Sequence, residues 1–456
     1  MEKKKILFFN KSVGGVNYYR TETPAIQLQK LDNDNEFHVE ILNNLNFYDP
    51  QTISYLKSFD IIHYHRDLSH DLVLEQTIIK ELKQANVKLI LDVDDYWEFH
   101  HNHPLKDNPA FNEQKKTLLY NIHVADYVTV TTKELGDEIK KIKKDNKIII
   151  LENGVNPDWM KQFENKWKPS PDGMVRITYM GGSTHLEDLK QLEGVINILN
   201  SDPQLKNKFK IILAGWDISG YSNEAVFNEN LRNELKERKL WKMNIIKEIN
   251  SAKGNIDNVF SIPQDLKDKY RGKMFFIKKR DIELEESVYY KYENILTDNY
   301  RLIDDKSYYN WLMRFEINGE YENEGKYARR WTKDPNNYAY VLNETDIVLA
   351  PLKDTKFNNL KSELKQIESW SRKLPIICSD VKPYNVYGKH MENCLLIPNR
   401  KNIKKHWVKN LKKLILDEEL RKKLGKNLHR DFKETFNLEN ITKKRINLYK
   451  KILNND

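Results

Sequence analysis

Residues 347–380 read IVLAPLKDTKFNNLKSELKQIESWSRKLPIICSD, and the rest of the chain is organised around them. Two short apolar runs, IVLAPL and LPIICSD, each end in polar or turn residues, and one helical pattern lies between them. A strand, a crossover helix and a second strand in this order make a parallel βαβ unit. Leu360, Leu364 and Ile367 fall at i, i+4 and i+7 and predict the buried stripe of that helix. Lys361, Lys365 and Glu368 repeat the spacing one residue later, on an adjacent face. Asn358 or Asn359 is placed to cap the helix start, where free N–H groups and the positive end of the dipole favour an anion. Lys361, Ser362 and Lys365 add donors and charge at that end, so the corner reads as a diphosphate cradle. Glu368, one turn deeper, can accept hydrogen bonds from sugar hydroxyls. An ordinary solvated Lys/Glu face on a crossover helix would show the same pattern.

The string FNNLKSELKQIESW followed by KLPIICSDVKPY resembles the donor-site segment of retaining GT-B glycosyltransferases, of the family 4-like, group 1 kind. It is most similar to a bacterial and phage branch that carries FN-x-x-KS-x-x-K-x-x-E ahead of a strand and a PY turn. The resemblance implies an α/β architecture of two Rossmann-like, doubly wound domains facing a central cleft. It also implies a glycosyltransferase that moves a sugar from a nucleotide sugar to an acceptor hydroxyl with retention at the anomeric carbon, with a UDP-sugar the expected donor and no metal cofactor. Lys361, Ser362 and Lys365 would hold the diphosphate and Glu368 the ribose. The wider family places a second glutamate eight positions earlier, against the transferred sugar. Here that position is Leu360, so the match is to the branch and not to the general pattern.

A length of 456 residues suffices for two domains, each with its own core. Hydrophobic residues at 39% and charged residues at 31% describe a globular chain with a heavily charged surface. MEKKK leads directly into the strand-like ILFFN without a signal-peptide pattern, and no apolar run approaches membrane-spanning length, so a cytoplasmic location is expected. Cys378 and Cys394 both sit in apolar runs and read as buried thiols of a reducing compartment. The net charge of +9 is diffuse and much of it lies in Lys-rich helical patterns such as Lys404 to Lys426. Abundant Lys, Asn and Ile match an AT-biased genome, so the charge carries little functional weight, while leaving room for peripheral contact with an anionic surface.

Residues 1–165 alternate strands and helices as an acceptor-side Rossmann-like domain does. After the first strand, Gly14 and Gly15 let the backbone approach a ligand at the carboxyl end of the sheet, and they resemble the glycine loop that faces the donor phosphates in GT-B proteins; a plain tight turn is the alternative. His63 and His65 share one face of the third strand. The fourth strand ends in Asp92-Val93-Asp94-Asp95-Tyr96-Trp97, similar to a segment at the cleft mouth of the same branch. Asp94 and Asp95 join His63 and His65 as acceptor-side candidates, and Asp92 could equally cap the turn. The nearby His100, His101 and His103 match no metal-ligand spacing, so no metal site is assigned.

Asn153-Gly154-Val155 resembles the string that closes the first GT-B domain, and the polar stretch 161–173 is the expected linker. The second domain, 166–436, opens with a strand and the turn Gly181-Gly182-Ser183-Thr184-His185, where Gly182, Ser183 and His185 are second candidates for phosphate contact. Relatives place an Arg and a Lys after this loop. Between about 222 and 338 the βα rhythm breaks, which predicts a mostly helical insertion. Near its end Arg330 sits beside aromatic residues and is either a phosphate contact or part of a helix surface packed through Trp331. Tyr384 in the turn after LPIICSD is placed to meet the sugar or base. The final helix, 437–456, is expected to cross back and brace the first domain.

Acceptor candidates are a glycan, a lipid-linked sugar or a modified DNA base, the last an activity that some phages encode. Two further readings stand beside transfer: a binding or scaffold protein that kept the fold, and an epimerase of nucleotide sugars.

Overall fold

The computed structural model describes residues 2–11, 14–101, 103, 106, 108–145, 147–156, 173–181, 185–216, 244–254, 261–269, 295–296, 321–323, 327–331 and 338–454. Two sheets carry the chain. The first contains β1 (Lys4–Phe9), β2 (Phe37–Leu42), β3 (Ile61–His65), β4 (Lys88–Val93), β5 (Tyr127–Val130) and β6 (Ile148–Ile150), in the order β2-β1-β3-β4-β5-β6. The second contains β7 (Val175–Met180), β8 (Phe209–Trp216), β9 (Tyr321–Asn323), β10 (Tyr327–Trp331), β11 (Ile347–Ala350), β12 (Ile376–Ser379) and β13 (Leu395–Ile397), in the order β13-β12-β11-β7-β8-β10-β9. Every neighbouring pair is parallel except β9 with β10.

Parallel strands are buried on both faces, which is why these runs are apolar without alternation. In the second sheet Ile177, Ile211, Leu349 and Ile377 face the helix Ile403–Leu416 with its Trp407 and Leu411, while Val348, Ile376 and Cys378 face Ile367, Trp370 and Phe432. In the first sheet Leu7, Ile62, Leu89 and Val128 face one layer, and Ile6, Phe8, Ile61 and Ile90 the other. The order reverses at β1/β3 in the first sheet and at β7/β11 in the second. At such points the connections leave in opposite directions and open a crevice at the carboxyl ends of the strands.

The strands expected from the sequence are present, and β9 and β10 are additional. The stretch Tyr327–Trp331 is not a helix surface but a strand, pairing with β8 so that Arg330 stands opposite Ala214. Its strand character was hidden because the paired arginines interrupt any apolar run there. Within the insertion Gln264–Lys269 is helical.

The crossover between β11 and β12 departs from a single helix. A short helix, Lys356–Asn359, is capped by Thr355, whose Oγ1 accepts from the Asn358 N–H at 3.1 Å; the chain then turns through Leu360–Glu363 and a second helix runs Leu364–Ser371. Neither Asn358 nor Asn359 caps the second helix. The predicted stripe is split: Ile367 enters the core of its own domain, whereas Leu360 joins Phe357 in the apolar cluster of the first domain, beside Leu91, Val93 and Tyr96.

The domains therefore exchange side chains. Phe357 lies 5.4 Å from Phe99 between ring centroids, and in return Tyr19 enters the cluster that holds Met180, Ile367 and Trp370. The last helix, Leu438–Asn454, lies on the first sheet, where Leu448, Tyr449 and Ile452 pack with Phe8, Ala25 and Leu28. Its approach leaves no room for a side chain at Gly154: a Cβ there would sit 2.9 Å from the Leu438 Cα.

Candidate functional site

The second sheet's switch point is framed by the loop after β7 and the segment after β11. From the latter, Lys361 lies in the turn before the helix, with its Nζ 4.8 Å from the centre of the Phe357 ring. Among the described residues no carboxylate lies within ion-pair distance of it. Lys365, on the first turn, reaches Glu368 Oε2 at 3.0 Å. Glu368 is 1% exposed, and its Oε1 accepts from the Tyr19 hydroxyl at 3.1 Å. Ser362 Oγ accepts from Asn153 Nδ2 at 2.8 Å. The Gln366 and Ile367 N–H groups both go to the Glu363 carbonyl, and the Leu364 and Lys365 N–H groups are those a helix start leaves without intrahelical partners.

From the loop after β7 comes His185, whose Nδ1 lies 2.7 Å from Asp188 Oδ2. Asp188 Oδ1 takes the Lys353 N–H at 2.7 Å and Asn358 Nδ2 at 2.8 Å, so one buried carboxylate ties both arms of the switch point together. Burial and the Lys361 charge push the His185 ring below its ordinary basicity, against the pull of Asp188. Asp188 is absent from the sequence candidates, although the i, i+3 spacing of His185 and Asp188 at a helix start was the available signal.

Across the cleft, Asp94 Oδ1 accepts from His65 Nε2 at 2.8 Å and from Arg66 at 2.9 Å. Burial raises the Asp94 carboxyl, but Arg66 and His65 outweigh it and hold it well below the carboxylate range. Asp95 is the reverse: burial and its neighbour Asp94 raise it, against the pull of Lys361 and Arg66. Lys361 and His185 in the second domain thus act electrostatically on Asp95 in the first.

His63 does not belong to this group. It is 2% exposed; Nδ1 faces the Tyr449 hydroxyl at 2.5 Å and Arg445 at 3.2 Å, and Nε2 faces Thr129 Oγ1 at 3.1 Å. Alternation placed it correctly on a face, but that face lies under the terminal helix. Burial and Arg445 hold the ring neutral. Asp92 is likewise no turn cap: Arg20 Nε and NH2 meet its two oxygens at 2.9 Å and 2.6 Å, and Thr129 donates to it at 2.6 Å. Arg20 also donates to Asn153 Oδ1 at 3.1 Å. A buried polar chain consequently runs from Ser362 through Asn153, Arg20, Asp92 and Thr129 to His63 and the last helix. Arg20 and Tyr19, absent from the sequence candidates, sit in a π-helical turn, Tyr18–Glu22, and wide turns of this kind recur at functional sites.

Gly14 precedes that turn with φ of 119°, a conformation that excludes a side chain, and Gly15 begins the helix. Tyr384 is a core residue, 5% exposed, in the cluster that holds Ile367, Trp370 and Cys378. Gly182 and Ser183 lie outside the described residues. No group of three or more His, Cys, Asp or Glu among the described residues could hold a metal ion, and no helix among them is long and apolar enough to cross a membrane.

No protein-family model and no curated protein matches the sequence. Solved structures do. Sucrose-phosphate synthase from Thermosynechococcus elongatus superposes with a TM-score of 0.55 at 12% identity, over 100% of both chains. Anabaena HepE in complex with UDP-glucose gives 0.54 at 11% identity, over 98% of this chain and 99% of that one. The fold is that of the GT-B glycosyltransferases. A glycosyltransferase from Rickettsia africae ESF-5 superposes over 100% of both chains, with a TM-score of 0.52 at 14% identity.

Proposed function

We propose that the protein is a retaining glycosyltransferase that moves a sugar from a nucleotide sugar, a UDP-sugar first among the candidates, to an acceptor hydroxyl. The observation that carries this reading is the Lys361 ammonium, without a carboxylate partner among the described residues, beside Lys365, Glu368 and His185, at the carboxyl ends where the order of the second sheet reverses. Fixed cations and free helix amides are what a departing diphosphate needs while positive charge develops on the sugar. Glu368 would take the ribose hydroxyls, with Tyr19 giving up or sharing its hydrogen bond. Lys361 and Lys365 supply the countercharge that a metal ion would otherwise bring. The first domain offers Asp95, with His65 and Asp94 behind it, to orient the acceptor. A structural neighbour crystallised with UDP-glucose supports the choice of ligand class.

A thermal-shift panel of UDP-, GDP-, ADP- and dTDP-sugars, each beside its free nucleotide, tests the reading. A ligand at a hundredfold its dissociation constant stabilises by about 2.7 kcal/mol. A shift selective for one base supports it, and no shift with any of them rejects it.

A further inference from the structure

Asp188 is held unusually firmly for a carboxylate at the edge of a cleft. It is 4% exposed, and besides His185 it accepts from the Lys353 N–H at 2.7 Å and Asn358 Nδ2 at 2.8 Å. A carboxylate facing Nδ1 fixes a proton on that nitrogen, so Nε2 is the atom at which the ring gains or loses its charge. No described residue hydrogen-bonds Nε2. The charged and titratable groups acting on this region are Asp188 and Glu187 from the helix that follows the ring, Lys353, Lys361 and Lys365 from the segment after β11, and Asp95, His100 and His103 from the first domain. In the free protein, burial and the two ammonium groups oppose a second proton. A diphosphate placed among the same lysines reverses that balance, because its charge cancels theirs and offers Nε2–H an acceptor.

We propose that His185 is a proton-linked phosphate contact: its Nε2 takes up a proton from solvent as a nucleotide sugar binds and donates a hydrogen bond to the diphosphate, with Asp188 as the positioning residue. This rests on the donor-site reading above. It gives His185 a function at the edge of the crevice, and it makes donor affinity fall as pH rises.

The test is calorimetry with the intact nucleotide sugar selected by the thermal-shift panel, UDP-glucose first, because a diphosphate diester has no group of its own titrating near neutral pH. Titrations at pH 7.5 in phosphate and in Tris, whose ionisation enthalpies differ, read the protons taken up per site. The proposal expects an uptake of between one-half and one proton in the wild type, near zero in His185→Gln, and less than wild type in Asp188→Asn. Affinity should fall by up to tenfold per pH unit above neutrality in the wild type and stay level in His185→Gln. Binding without proton uptake, or uptake unchanged in His185→Gln, overturns the proposal and leaves the donor site standing. Absence of binding by every nucleotide sugar overturns both.

Discussion

Glu363 is the N-cap of the helix Leu364–Ser371 by position, yet its side chain makes no capping bond. It is 2% exposed, its Oε1 has no hydrogen-bond partner among the described residues, and the carboxylates acting on it, Glu152 and Glu134, belong to the first domain. Burial, with smaller contributions from those two acids, pushes its pKa up to about 8. An acid whose folded pKa lies above its unfolded value of about 4.5 favours folding below the unfolded pKa, and that stability is lost as pH rises through the folded pKa. Between pH 5 and pH 8 the loss is about 3 kcal/mol, at about 1.4 kcal/mol for each pH unit across which the two states differ by one proton. Glu363→Gln replaces the acid by a neutral group of the same shape. At about 2 °C per kcal/mol for a unit of this size, its melting temperature relative to wild type should rise by about 6 °C between pH 5 and pH 8. Melting curves of both proteins at pH 5, 6, 7 and 8 measure the difference. Parallel pH dependences would refute the reasoning, since the carboxyl would then ionise as freely in the folded protein as in the unfolded one.

Two further perturbations follow from the polar chain and the exchanged side chains. Arg20→Ala strands the buried Asp92 carboxylate and should destabilise the first domain by about 3–5 kcal/mol in chemical denaturation; a loss below 1 kcal/mol would mean that Asp92 finds another partner. Leu360→Ala should weaken domain closure by about 2–5 kcal/mol, the cost of emptying a Leu-sized site. Small-angle scattering should then show a larger radius of gyration, and an unchanged radius would contradict the role given to Leu360.

The two sheets were legible because parallel strands buried on both faces appear as continuous apolar runs. The break at Leu360–Glu363 was not legible: Lys, Ser and Glu continue a helical pattern, and what interrupts it is the first domain's apolar cluster drawing Leu360 away. His63 failed for a similar reason. Its face followed from alternation, but the cover on that face is Tyr449 and Arg445, more than 380 residues later in the chain. Tyr19 and Arg20 follow the Gly14-Gly15 turn directly and still gave no signal, because their partners Glu368, Asp92 and Asn153 come from distant segments. Leu360 sits in the first domain's apolar cluster with Phe357, where a carboxylate would lose its hydration.

The most direct test of the donor site is the affinity of the selected nucleotide sugar for wild type, Lys365→Ala and Glu368→Ala, measured by calorimetry on folded protein. Each substitution removes a hydrogen bond involving a charged group and should cost about 1.5–3 kcal/mol, roughly 10- to 150-fold in the dissociation constant. Wild-type affinity in both variants would place the diphosphate and ribose elsewhere and contradict the assignment of the site.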